Sequence, residues 1–294
     1  MLLYKDFIFH TTEKYQLEAS LYQPTGTPLN QTIIYLHGGG LIWGSRFDLP
    51  EEYIQLFLSA GYHFLTLDYP LAPEVELPEI EAAIQTGINW FLNQANQSLE
   101  LKSNEFILFG RSAGAYLGFL YQKNALAVQP KKFISFYGYH SINEAFYLRP
   151  SSFYLRYPKI SEETKKALIQ TKPLVSGPLE TRYAIYMYAR QTGRWIDLIL
   201  QHQQNYSNYS LTNEELKMLP PTFIAQTTAD QDVPYSIGAY LNQHILNKEF
   251  ITIEGLAHDF DKDPNLKEAQ ITYQKLIEWL SKDGFIKTDY FSKR

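Results

Sequence analysis

Two rhythms of apolar and polar positions alternate along the chain. Short apolar runs read as strands, and longer segments with an apolar residue every three or four positions read as helices. FIFH (7–10) and QLEASLYQP (16–24) form an opening pair of strands. TIIYLH (32–37) is a strand, SRFDLPEEYIQLFLSAG (45–61) a helix ended by Gly61, and HFLTLDYP (63–70) a strand. The helix PEIEAAIQTGINWFLNQA (78–95) carries Ile80, Ile84, Ile88 and Phe91 on one face, and its Pro78 suits the first turn. EFILFG (105–110) leads into a helix from about Ser112 to Leu126, and KKFISFYGYH (131–140) is a strand. Further on, PTFIAQTTAD (221–230) and EFITIEG (249–255) are strands flanking a helix near 234–247, and NLKEAQITYQKLIEWLSKDG (265–284) is the closing helix. Such alternation predicts a mostly parallel sheet with helices on both faces.

Residues 141–218 break the rhythm. They are rich in Tyr, Phe, Arg and Gln and hold helical patterns such as SEETKKALIQ (161–170) and TRYAIYMYAR (181–190), with no clear central strand. A segment of this length between two sheet strands is too long for a plain loop. The expectation is a core of residues 1–140 and 219–294, with 141–218 as a helical cap inserted over the sheet. The polar tail FIKTDYFSKR (285–294) is expected to fray or to dock its aromatics.

Composition narrows the chemistry. With 294 residues, 45% hydrophobic and 19% charged, the chain has the make-up of an ordinary globular protein and can fold without covalent staples. It has no cysteine, which excludes thiol catalysis, disulfides and thiolate metal sites. A net charge of −5 with no basic run argues against a nucleic-acid partner. No stretch approaches the roughly 18 apolar residues of a membrane span. The N-terminal MLLYKDFIFH has no charged leading segment of a secretion signal, so a cytoplasmic location is expected.

Two glycine-rich stretches carry the candidate chemistry. In the first, the strand-like Ile33-Ile34-Tyr35-Leu36 stops at His37, and three glycines, 38 to 40, follow. In the second, Gly110-Arg111-Ser112-Ala113-Gly114 fits G-x-S-x-G directly after a strand and before a helix. A serine on such a turn projects its hydroxyl above the sheet edge, beside unpaired N–H groups of the helix N-terminus. A serine hydroxyl needs a base. Of the seven histidines, 10 and 63 lie at strand edges, 202 lies in the insertion and 244 in a helical pattern. His258, in EGLAHDF, sits in a loop after a strand, which suits a functional role. A base needs an orienting acid. Asp230 ends the strand TFIAQTTAD, with Asp232 its close rival; one of the two is expected to cap the following helix, and Asp232 is better placed for that. The triple glycine then supplies backbone N–H groups to the oxyanion that forms when Ser112 attacks a carbonyl. A phosphate cradle fails on spacing, because G-x-G-x-x-G would need glycine where Trp43 stands, and no Walker lysine follows either loop.

The segments H37-G-G-G40, D68-Y-P-L-A-P-E74, G110-R-S-A-G114, D230-Q-D-V-P234 and H258-D-F260 together resemble the α/β-hydrolase fold, within it the esterase and lipase branch related to hormone-sensitive lipase. The resemblance runs from about residue 30 to 283 and keeps the family's order of serine, acid and histidine. It implies a catalytic triad of Ser112, Asp230 and His258 and an oxyanion hole of Gly39, Gly40 and Ala113. It implies a carboxylesterase with a small-molecule ester substrate, and no cofactor or metal; the helical cap expected over 141–218 would roof the pocket, so small to medium acyl groups are expected. A homo-oligomer is compatible with this. The alternatives are an amidase or peptidase of the same fold, formamidase-like or prolyl-oligopeptidase-like, and a ligand-binding protein on a hydrolase scaffold. Arg111 stands where the family usually has an acidic residue, and is expected either to favour an anionic substrate group or to form a structural ion pair.

Overall fold

The apolar runs become the strands of one eight-stranded sheet. A computed structural model describes residues 2–124, 126–200 and 206–282. Its strands are β1 (Tyr4–Thr11), β2 (Gln16–Tyr22), β3 (Thr32–Leu36), β4 (His63–Leu67), β5 (Phe106–Arg111), β6 (Phe133–Phe136), β7 (Thr222–Thr227) and β8 (Lys248–Ile253). They lie in the order β1-β2-β4-β3-β5-β6-β7-β8. Only the β1–β2 and β2–β4 pairings are antiparallel. The central strands β3, β4, β5 and β6 are buried at every position. Covered on both faces, they read as continuous apolar runs, not as alternating ones.

Helices α1 (Glu51–Ser59) and α10 (Lys267–Ser281) cover one face of the sheet, where Tyr53 stacks on Tyr273 with ring centres 3.7 Å apart. Helices α2 (Leu77–Gln94), α3 (Ala113–Lys123) and α9 (Tyr235–His244) pack on the other. In α2 the face formed by Ile80, Ile84, Ile88 and Phe91 is buried, as its spacing predicts. Among the described residues no helix is long and apolar enough to cross a membrane. The tail 285–294 lies outside the described residues.

Several elements are shorter than the sequence suggests, and for two of them the cause is visible. The helix expected over 45–61 begins only at Glu51. Pro50 keeps the residue before it out of the helical region, and residues 45–48 are held as a loop by side chains. Arg46 reaches Asp68, Glu18 and Ser20, and the Tyr35 hydroxyl donates to Asp48 at 2.6 Å. The strand expected over 131–140 stops at Phe136, because Tyr137 takes a positive φ of 39° and turns the chain out of the sheet.

Between β6 and β7 the chain is helical: α4 (Ala145–Leu148), α5 (Glu162–Leu168), α6 (Leu179–Thr192), α7 (Trp195–Ile199) and α8 (Asn213–Lys217), with short 3-10 turns at Tyr154–Arg156 and Tyr206–Tyr209. Arg182 of α6 ties this segment to the sheet. Its guanidinium donates to the Ile42 and Ala72 carbonyls at 3.0 and 2.6 Å and to both oxygens of Glu74 at 2.6 and 2.7 Å. A buried guanidinium needs this full set of acceptors, since an unpaired buried charge is costly.

Candidate active site

Ser112 occupies the tight turn between β5 and α3, at φ 51° and ψ −118°. A positive φ is uncommon for a residue with a Cβ. Close packing of α3 enforces it: a Cβ added at Gly114 would lie 2.1 Å from the Leu36 carbonyl oxygen, so only glycine lets the helix start against the end of β3. The Ser112 N–H donates to the Phe136 carbonyl at 2.9 Å, pinning the turn to β6. The hydroxyl thus stands beyond the carboxyl end of β5, in the crevice where open α/β sheets bind ligands.

Two loops from neighbouring strand ends meet it. His258, beyond β8, places Nε2 2.9 Å from Ser112 Oγ and Nδ1 2.7 Å from Asp230 Oδ2. Asp230, beyond β7, is fully saturated. Its Oδ2 also accepts from Gln226 Nε2 at 3.1 Å, and its Oδ1 accepts the N–H groups of Asp232 and Val233, both at 2.8 Å. A carboxylate facing Nδ1 fixes the hydrogen there and leaves the Nε2 lone pair for the serine. Burial disfavours the imidazolium, but Asp230 outweighs it, with help from Asp259 and Asp232, and holds the His258 pKa above its ordinary 6.5.

The division of labour expected between the two aspartates is different here. Asp230 both faces His258 and closes the turn before α9. Asp232 does not cap that helix; its Oδ1 accepts the hydroxyls of Tyr154 and Tyr186, each at 2.7 Å, from the helical segment between β6 and β7.

The triple-glycine loop comes up beside Ser112 from β3. Gly39 has φ +95°, and a Cβ there would lie 1.9 Å from the Trp43 carbonyl oxygen. Its own carbonyl accepts the N–H groups of Ile42 and Trp43 at 3.0 Å. No described residue accepts a hydrogen bond from the N–H of Gly39, Gly40 or Ala113. His37 braces the loop from behind: it is buried, stacks on Tyr69 at 4.1 Å, and has Nδ1 2.8 Å from the Gly38 carbonyl oxygen. From the other side Trp195 Nε1 donates to the Gly40 carbonyl at 2.9 Å.

Arg111 forms the structural ion pair. Its guanidinium meets Asp261 Oδ1 at 2.8 Å and donates to the Tyr137 hydroxyl at 2.7 Å. The Tyr137 and Tyr273 hydroxyls donate to Asp261 at 2.6 and 2.8 Å. The Tyr137 ring lies edge-on to the His258 imidazole, with centres 4.5 Å apart. This buried cluster joins the Ser112 turn to the His258 loop. A charged residue inside the apolar run ILFGRSAG was the signal for such a partner; the sequence could not say which acid it was.

A cavity of about 290 Å³ opens over Ser112, lined by Gly39, Gly40, Tyr183, Tyr186 and His258 among others. Asp259, Lys262 and Trp43 also line it, and sequence reasoning gave them no role there. His244 stacks on Tyr240 within α9, whereas His10 and His63 belong to β1 and β4. His202 lies outside the described residues. Ligating atoms of Asp230, Asp232 and His258 lie within 4.8 Å of one another. The Asp230–His258 hydrogen bond and the two phenols on Asp232 already engage one atom of each of the three residues.

A sheet of this order, with a positive-φ serine between a central strand and its helix, defines an α/β-hydrolase architecture. The chain belongs to that family: the model of the alpha/beta hydrolase fold matches residues 33–262, in agreement with the resemblance to the hormone-sensitive-lipase-like branch. A solved structure of a Staphylococcus aureus protein with unknown function superposes with a TM-score of 0.83 at 31% identity, covering 94% of this chain and 98% of that one. Carboxyl esterase 2 of the fungus Tuber melanosporum shares the fold with a TM-score of 0.66 at 19% identity, over 95% of this chain and 86% of that one. Among curated relatives, a non-reducing polyketide synthase, adrD of Penicillium roqueforti, is 22% identical over 90% of this chain, which spans 13% of that protein's length.

Proposed function

We propose that the chain is a serine hydrolase that cleaves carboxylic esters through an acyl-enzyme. The observation that carries this reading is the line of Ser112 Oγ, His258 Nε2, His258 Nδ1 and Asp230 Oδ2, with separations of 2.9 and 2.7 Å across its two hydrogen bonds. Ser112 attacks the ester carbonyl while His258 Nε2 takes its proton. The N–H groups of Gly39, Gly40 and Ala113 receive the oxyanion, each donor being worth about 3 kcal/mol of transition-state stabilisation. His258 then returns the proton to the leaving alcohol, and water, activated by the same imidazole, releases the acid. Asp230 holds the ring in the required tautomer and stabilises the imidazolium.

Residues 141–218 act as a cap on a core of 1–140 and 219–294. Tyr183 and Tyr186 on α6 support this, since they wall the cavity over the serine. The same roof favours small to medium acyl groups. Side-by-side hydrolysis of p-nitrophenyl butyrate, an N-formyl anilide and an aminoacyl anilide tests the reading. Turnover fastest on the ester, and lost in Ser112→Ala, is expected; faster cleavage of either anilide would instead make the chain an amidase or peptidase.

A further inference from the structure

We infer that the cavity beside Ser112 accepts an ester carrying an organic ammonium group, seated by the carboxylates of Asp259 and Asp232 and the rings of Trp43, Tyr183 and Tyr186. This deepens the serine-hydrolase reading and rests on it. All five residues line the cavity together with Ser112 and His258.

Asp259 is the first observation. It directly follows His258 and holds φ 54°, a left-handed conformation that aspartate tolerates better than most residues but still at some cost. Among the described residues, nothing donates a hydrogen bond to its carboxylate, and no cationic side chain lies within ion-pair distance. Burial raises its pKa, against the opposing pull of His258 and Arg111. A substrate that fills the cavity would bury this carboxylate further. A neutral group would leave the charge desolvated and unpaired, whereas a cation would pair it.

Asp232 adds a second carboxylate. Its Oδ1 is held by Tyr154 and Tyr186, which fixes the group in place and leaves Oδ2 without a protein donor among the described residues. The aromatic wall is the independent third observation. Trp43 meets Tyr183 edge-on at 6.2 Å, and Tyr183 stacks alongside Tyr186 at 6.1 Å. Ring faces beside carboxylates are the setting in which ammonium groups bind, through the quadrupoles of the rings and the charge of the acids. Among the described residues, Lys262 is the one cation lining the cavity besides the imidazole, and it is exposed, so its ammonium stays hydrated.

The test is binding to the Ser112→Ala protein, which separates recognition from turnover. Calorimetric titration compares butyrylcholine with its uncharged isostere 3,3-dimethylbutyl butyrate and with the anionic ester 3-(butyryloxy)propanoate. Butyrylcholine is expected to bind at least tenfold more tightly than the isostere, and the anionic ester most weakly. Asp259→Asn in the same background should erase the difference between butyrylcholine and the isostere. Equal affinities, or preference for the anion, overturn the proposal. So does a full preference for butyrylcholine that survives Asp259→Asn. Should Asp259→Asn fail to fold, the three-ligand comparison on the Ser112→Ala protein still decides. A chain that binds butyrylcholine selectively yet cleaves no ester would refute the hydrolase reading and leave the cation site standing.

Discussion

Replacing Asp261 with asparagine tests whether the buried cluster under the site positions His258. Asp261 is fully buried, and Arg111 nearly so. The carboxylate accepts one guanidinium and two phenols, at 2.8, 2.6 and 2.8 Å. Asparagine keeps the shape, removes the charge and turns one acceptor into a donor facing these donors. Arg111 is then left charged, buried and without its principal partner. Breaking a buried pair in this way costs about 3–5 kcal/mol. At roughly 2–3 °C per kcal/mol for a domain of this size, Tm should fall by roughly 6–15 °C.

The same change acts on the chemistry, because Asp261 lies three residues beyond His258 and Tyr137, its donor, packs edge-on against the imidazole. Slight misplacement of a reacting group can lower a rate by up to about a hundredfold. The expectation is therefore a fall in kcat of about ten- to a hundredfold with KM little changed. Thermal unfolding and steady-state kinetics measure both. The Arg111→Met, Asp261→Asn double variant should be more stable than the sum of the single losses predicts, since it leaves no lone buried charge. Single losses below about 1 kcal/mol, or strict additivity, would refute the reasoning, because contacting residues in one network are expected to couple.

Two further outcomes follow from the geometry. In the proposed mechanism neutral His258 accepts the serine proton; its pKa is raised, so activity should fall as pH drops through a value above 6.5. Asp230→Asn removes the main cause of that rise, and should shift the acid limb of kcat/KM downward while lowering kcat by about 10⁴-fold; a pH-rate profile with its acid limb at or below 6.5 in the unaltered protein would count against the pairing. For acyl length, p-nitrophenyl esters from acetate to palmitate should give rates that peak at short to medium chains, and a steady rise to palmitate would sink the roofed pocket.

What the sequence disclosed depended on the range of the interaction. TIIYL and EFILFG are buried on both faces, so their strand character stood out as unbroken apolar runs. The buried face of α2 was legible from spacing alone. The G-x-S-x-G turn was legible because strand, turn and helix are contiguous, and Gly114 is demanded by a contact with the neighbouring strand. Element ends were less visible. Residues 45–48 had a helical pattern, but Arg46 and Asp48 are committed to Asp68 and Tyr35, which lie at least thirteen positions away. The partners of Asp232 were hidden for the same reason, since Tyr154 and Tyr186 are 78 and 46 residues distant. Arg111 and Asp261 are 150 residues apart, and only folding brings them together. Asp259 was overlooked because a residue beside a histidine reads as its surroundings until the cavity shows what it faces.

Covalent labelling with a fluorophosphonate, followed by peptide mass mapping, asks whether Ser112 is the nucleophile. One modified site, Ser112, is expected in the unaltered protein, and no labelling in a folded Ser112→Ala variant. Full labelling of that variant at another serine, or no labelling of the unaltered protein, would contradict that role.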